Sequence, residues 1–309
     1  MLLALITAKQ VLELFILIFA GVVLYKIHVV GTEDKRALSN ILIDFVVPCM
    51  VINSFMGKSI ENAGELGKSF IYSIILCTIG IMIALATAFI VKKEFCDVYK
   101  FACSFSNAAY MGFPLISAMF GDTGIMYASA YVTVFNILLW TVGYMFFATV
   151  KSPKDILLAI AKCPPIISVV IGLIIYFGNI SVIDVIAQPI SMVGAMNTPL
   201  SMIITGMTVA QTDVRNILKN AYLWLVVLVR LVIIPAVCTV VFMLLHFKGM
   251  SAMVCLVLEA CPVAAITTML AVQYEKNQEY AAGLVVVSTL LSIVSLPVYA
   301  MVVQMCGLY

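Results

Sequence analysis

Two short stretches set polar and helix-breaking residues inside otherwise apolar sequence. SNAAYMGFP (106–114) holds Asn107, Tyr110, Gly112 and Pro114, and LEACPVAAITTMLA (258–271) holds Glu259, Pro262, Thr267 and Thr268. Proline inside a helix removes an amide donor and presses its ring on the carbonyl four residues back, which for Pro114 is that of Tyr110. Gly112 adds backbone freedom and lets another segment approach closely. The expectation is a helix broken at mid-membrane in each stretch, with carbonyls and amides set free. Irregular backbone survives at that depth only where protein or a wet cavity satisfies it. Asn107 would then stand beside one break with an amide able to donate and to accept. This is the chemistry of ion and solute binding, because amide ends of half-helices favour anions and carbonyl ends favour cations. The plainer reading is a pair of proline-kinked helices in which Asn107 bonds a neighbour to hold packing.

Other polar residues in apolar runs bear on the same chemistry. Asp44 lies four residues before Pro48 and is either a proton or cation site or a group that reaches the interface. Glu259, one turn before the second break, must be protonated or paired, since an unpaired buried charge is costly. It is a candidate for proton or cation coupling, for charge pairing, or for a hydrogen bond to freed backbone. Arg230, five residues before Pro235, either attracts an organic anion or ties down loosened carbonyls or a carboxylate. Asn53, Asn136 and Asn197 suit helix packing, and Asn136 is the one expected to line a site. An enzyme is not expected. His28 and His246 both lie at span ends, so no Ser–His pair forms, and Asp122 in FGDTG (120–124) has no second aspartate at its depth. The nine cysteines form no C-x-x-C pair and read as small buried hydrophobes rather than a metal or disulfide framework. No cofactor is expected; H⁺ or Na⁺ are the candidate coupling ions.

The elements that must position these residues follow from composition. The chain is 64% hydrophobic and 10% charged, where soluble domains keep roughly a quarter of their residues charged. It is therefore expected to be an all-α integral membrane protein, and its net charge of +2 gives no sign of nucleic acid. The N-terminal apolar run reads as a retained span. Windows of about twenty apolar residues place ten spans near 7–27, 37–56, 69–91, 98–120, 124–149, 155–177, 187–209, 221–246, 251–273 and 279–304.

Basic residues orient the spans. With the N-terminus outside, inner loops carry Lys26, Lys35, Arg36, Lys92, Lys93, Lys100, Lys151, Lys154, Arg215, Lys219 and Lys276, against Lys9, Lys58, Lys68 and Lys248 outside. Both termini are then outside the cytoplasm, in a multi-pass cell (plasma or inner) membrane protein. KSPK (151–154) divides the ten helices into halves, 1–150 and 155–309. Because five is odd, the second half inserts upside down. Pro48 and Pro199, 151 residues apart, and Pro114 and Pro262, 148 apart, echo this inverted repeat.

SNAAYMGFP followed by LISAMFG resembles the auxin efflux carrier (PIN-like) family. So do VVPCMVINSF in span 2, the Arg230…Pro235 spacing and ACPVAAITTMLAVQY in span 9. The resemblance covers the whole chain. It implies two inverted five-helix repeats crossing at broken helices 4 and 9, a scaffold of helices 1, 2, 6 and 7, a mobile unit of helices 3–5 and 8–10, and a homodimer through the scaffold. The short KSPK link, in place of the plant exporters' long hydrophilic loop, is more similar to the bacterial branch, associated with malate, malonate and similar acids. The expected function is secondary transport of a small organic anion, a mono- or dicarboxylate, by an elevator motion. The expected substrate-binding residues are Asn107, Tyr110, Gly112, Pro114, Asn136, Pro262, Thr267 and Thr268, with Glu259, Asp44 and Arg230 in coupling or charge pairing. A passive channel or facilitator for small organic solutes is the alternative, although no filter-like glycine run or ring of charge is present.

Overall fold

A computed structural model describes residues 2–56, 63–147, 161–162, 164–211 and 217–308. Lys58, Lys151, Lys154, Cys163, Arg215 and the KSPK link lie outside these residues. Within them the regular structure is helical, as apolar runs in lipid require, because a helix satisfies its own amides and carbonyls. Among the described residues, six helices are long and apolar enough to cross a membrane: Thr32–Asn53, Gly64–Ile90, Thr123–Phe147, Asp184–Gln211, Ala221–Leu244 and Gln278–Met305.

The elements are α1 (Leu2–Lys26), α2 (Thr32–Ile41, Leu42–Val46, Val47–Phe55), α3 (Ala63–Thr87), α4 (Lys93–Ser104), α5 (Ala108–Gly121), α6 (Thr123–Phe147), α7 (Pro164–Phe177), α8 (Asp184–Ala195), α9 (Asn197–Gln211), α10 (Ala221–Leu244), α11 (Met250–Glu259), α12 (Ile266–Gln273) and α13 (Gln278–Met305). The windows predicted as spans 4 and 9 are each a pair of half-helices, α4 with α5 and α11 with α12. Gly121, at φ +59°, kinks the chain between α5 and α6, in a conformation that disfavours a side chain. α1 lies along α9, and the second half of α2 packs on α7 and α8, while α3 and α11 pack on α5 and α6.

Among the described residues, four helices widen into a π turn, at Leu42–Val46, Ala108–Gly112, Leu139–Gly143 and Val229–Ile233. Three of these end two residues before a proline: Pro48, Pro114 and Pro235. The wider turn moves the carbonyl four residues back away from the ring that would strike it. This corrects the expectation for Pro114. The proline does not break its helix; it sits just past a π turn that absorbs it, and the chain unwinds earlier, at Phe105–Asn107. Pro262 does lie in its break, between α11 and α12.

Candidate functional site at the helix crossover

The two breaks touch. Ser106 and Val263 face each other in an isolated antiparallel bridge. Asn107 N donates to Pro262 O at 2.7 Å, Ala264 N donates to Phe105 O at 3.1 Å, and Val263 N donates to Ser288 Oγ on α13 at 3.1 Å. Backbone groups freed from two helices thus satisfy one another and a neighbouring hydroxyl, as the interior of a membrane protein demands. Gly112 permits this closeness, since a Cβ there would overlap the Leu258 side chain.

On the carbonyl side of the crossing lies Arg230, fully buried, carried by the π turn of α10. Its Nη1 donates to Cys103 O at 2.9 Å, its Nε to Cys261 O at 3.2 Å and its Nη2 to Glu259 O. Nη1 also pairs with Glu259 Oε1 at 2.9 Å, and Tyr131 donates its hydroxyl to Glu259 Oε2 at 2.5 Å. The cation therefore spans the carbonyl ends of α4 and α11, where helix dipoles concentrate negative charge. Gly80 leaves room for the pair: a Cβ there would stand 3.1 Å from Glu259 Oε1. Arg230 and Glu259 thus contact each other, and Arg230 also contacts backbone carbonyls.

On the amide side, the starts of α5 and α12 meet at a small recess. Asn107 and Ser106 line it, 3% and 1% exposed, and among the described residues Asn107 Nδ2 and Ser106 Oγ have no hydrogen-bond partner. Asn136, Phe135 and Trp140 of α6, Ile43 and Val47 of α2, and Tyr110 complete much of the wall. Three π turns supply residues to it: Ile43, Ala109 with Tyr110, and Leu139 with Trp140. π turns are rare and frequent at functional sites.

Two further recesses flank this one. A wide one is lined by polar residues including Asn53, Ser117, Gln188, Ser191 and Asn197. A smaller one is lined by Lys35, Ser39, Thr205, Thr208 and Thr268, and it shares Tyr110 with the crossover recess. Lys35 and Asn53 are eighteen residues apart on α2, roughly 27 Å along the helix, so the two recesses face opposite ends of the bundle. Asn197 Nδ2 donates to Ala109 O at 3.3 Å, beside the crossing.

Of the residues expected to bind substrate, the structure brings Asn107, Tyr110 and Asn136 together at the crossover recess. Thr268 lies on the Lys35 recess and Pro114 on the wide one. Gly112, Pro262 and Thr267 do not line these recesses; Thr267 is buried with its hydroxyl unpartnered. Asp44 is exposed on the flank of α2. Sequence reasoning missed Ser106, Phe135 and Trp140 as lining residues, and Tyr131 and Gly80 as neighbours of Glu259. Ser106 adjoins Asn107 in the first stretch and was within reach; the other four carry no local signal, being ordinary residues of apolar helices.

A crossing of interrupted helices in a multi-pass membrane protein, with buried donors left open, marks a membrane transport protein. The family model described as "Membrane transport protein" matches residues 6–300, and the chain belongs to that family, to which the auxin efflux carriers also belong. Among its relatives is a protein named as an uncharacterized transporter in Methanothermobacter thermautotrophicus, 22% identical over 302 residues, with 96% of this chain and 98% of the relative covered. A similarly named protein of Methanocaldococcus jannaschii is 23% identical over 296 residues, covering 92% of this chain and 94% of the relative. A Saccharomyces cerevisiae protein, also named an uncharacterized transporter, matches over 48% of this chain and 29% of its own length at 24% identity.

Proposed function

We propose that the protein is a secondary carrier for a small organic anion, held by its carboxylate at the amide ends of α5 and α12. One observation carries this reading: Asn107 Nδ2 and Ser106 Oγ are buried donors without partners at the meeting point of two helix starts. Buried donors left open cost stability, and a carboxylate would satisfy them and the dipoles together. Arg230 does different work. Its three nitrogens bond protein groups at the carbonyl ends, so it holds the crossing rigid while the amide ends stay open to a solute.

The remaining parts of the reading rest on this site. Ten spans form two inverted repeats of five, one in each half of the chain. Helices 1, 2, 6 and 7 form the scaffold of a homodimer, and the crossing rides on a mobile unit of helices 3–5 and 8–10. Elevator movement then offers the site alternately to the wide recess and to the Lys35 recess. The membrane is the cell membrane, with both termini outside the cytoplasm. A proton or sodium ion drives accumulation.

Counterflow in proteoliposomes tests the reading. Internal unlabelled carboxylate should accelerate entry of the labelled compound, and Asn107→Ala should lower exchange at least tenfold while the purified protein stays monodisperse. Flux that neither saturates nor responds to internal substrate would indicate a channel. Full exchange in Asn107→Ala would remove the crossover recess as the site.

A further inference from the structure

We propose that Asn197 holds the moving unit in the orientation seen here, through one hydrogen bond from α9 to α5 that must break before the site can turn toward the Lys35 recess. This rests on the elevator part of the carrier reading, in which α9 stays with the scaffold and α5 moves.

The bond exists because of a proline. In the π turn at Ala108–Gly112, Phe113 N donates five residues back, to Ala108 O. The next amide in that pattern belongs to residue 114 and would serve Ala109 O, but Pro114 has none to give. Ala109 O is left without its partner inside the helix, in surroundings where an unbonded carbonyl is costly. Asn197, 2% exposed at the start of α9, fills the gap from the neighbouring helix: its Nδ2 donates to Ala109 O at 3.3 Å. A carbonyl only accepts, so the amide nitrogen is fixed on it and Oδ1 faces away. Among the described residues that buried oxygen has no partner. Buried polar atoms kept for packing alone are normally bonded. An amide satisfied at one end fits a group that changes partners between two states.

The bonds of the crossing itself differ in kind. Asn107 with Pro262, Val263 with Ser288, and Arg230 with Cys103, Glu259 and Cys261 all join parts of the moving unit, so they travel intact. The Asn197 bond crosses the boundary. Exposure shows which orientation it favours. Ser117, Ala118 and Gln188 on the wide recess are exposed, whereas Ser201, Thr205 and Thr268 around the Lys35 recess are buried. Asn197 therefore stabilises the orientation open to the wide recess.

Cysteine labelling of the purified full-length protein in detergent tests this. In a chain freed of its native thiols, single cysteines at Ser117 and Met269, on the wide and the Lys35 recess, report the two orientations by their maleimide reaction rates. Met269 is half-buried here and reports the minor orientation, so its rate scales with that population. One net hydrogen bond shifts such an equilibrium roughly twofold to tenfold. Asn197→Leu should raise the Met269→Cys rate by that factor, with the Ser117→Cys rate unchanged or lower. Pro114→Ala returns an amide to Ala109 O and should raise the Met269→Cys rate by itself; it carries the test alone if Asn197→Leu does not fold. In that background Asn197→Leu should add less than about twofold. A Met269→Cys rate indifferent to both variants would overturn the proposal and leave the elevator motion standing. Faster reaction at both cysteines, which is general loosening, would overturn it too, as would an undiminished effect of Asn197→Leu beside Pro114→Ala. If Met269→Cys is unreactive in every variant, there is no second orientation, and the elevator motion falls together with this proposal.

Discussion

Replacing Glu259 by Gln asks whether the buried carboxylate is a clamp or a carrier of protons. Glu259 is 1% exposed, meets Arg230 Nη1 at 2.9 Å and accepts the Tyr131 hydroxyl at 2.5 Å. Removing one partner of a buried ion pair typically costs 3–5 kcal/mol, because the other charge is left uncompensated. Glutamine keeps the acceptor for Tyr131, and the Arg230 bonds to backbone oxygen survive, so a loss of about 3 kcal/mol, at the low end, is expected. Arg230→Met should cost more, about 5 kcal/mol, since it strands a carboxylate and also unbonds the carbonyls of Cys103, Glu259 and Cys261. At roughly 2 °C per kcal/mol for a large domain, the apparent Tm should fall by about 6 °C and 10 °C. The double variant should lose less than the two singles combined, by at least about 1 kcal/mol, because the pair is coupled. Thermal denaturation followed by size-exclusion chromatography measures all four proteins, and counterflow and pH-driven uptake are assayed in the same preparations. A clamp lowers stability and every transport mode together. If Glu259→Gln keeps its Tm within about 1 °C while exchange persists and pH-driven accumulation vanishes, the clamp reasoning is wrong. The carboxylate would then be the proton site.

Further outcomes follow from the same geometry. Gly112→Val should sharply reduce folded yield by driving a side chain into Leu258, and Leu258→Ala should restore part of it; unchanged yield in the single variant would refute the close approach. Ser288→Ala removes the acceptor for Val263 N and should cost about 1–3 kcal/mol, read as a Tm loss of several degrees, with no loss meaning that the bond carries little. Single cysteines at Lys9 and Gly307, in a chain freed of its native thiols, should label with an impermeant reagent from outside, whereas one at Lys93 should not. Labelling of Lys93 with protection of both ends would invert the proposed topology.

The apolar character of the chain, most of its helices and the two places where helices fail were legible in the sequence. Hydrophobic length and the missing amide of proline are local properties, and a membrane offers the backbone no partner but itself. Even so, local chemistry misplaced the first break. Pro114 is absorbed by a π turn, and unwinding falls at Phe105–Asn107 because there the chain can pair with Pro262 and Ala264, partners more than 150 residues away. Asn107 and Glu259 stood out as polar residues in apolar runs, yet their different surroundings did not. Glu259 has Arg230 and Tyr131 around it, whereas Asn107 has an open amide. That distinction depends on which helices cross and which ends they present, and α6 and α10 bring the deciding side chains from distant sequence. Trp140 shows the limit most plainly: its type and spacing mark it as one more membrane-facing aromatic, and only the packing of α2, α5 and α6 around the crossing turns it toward the recess.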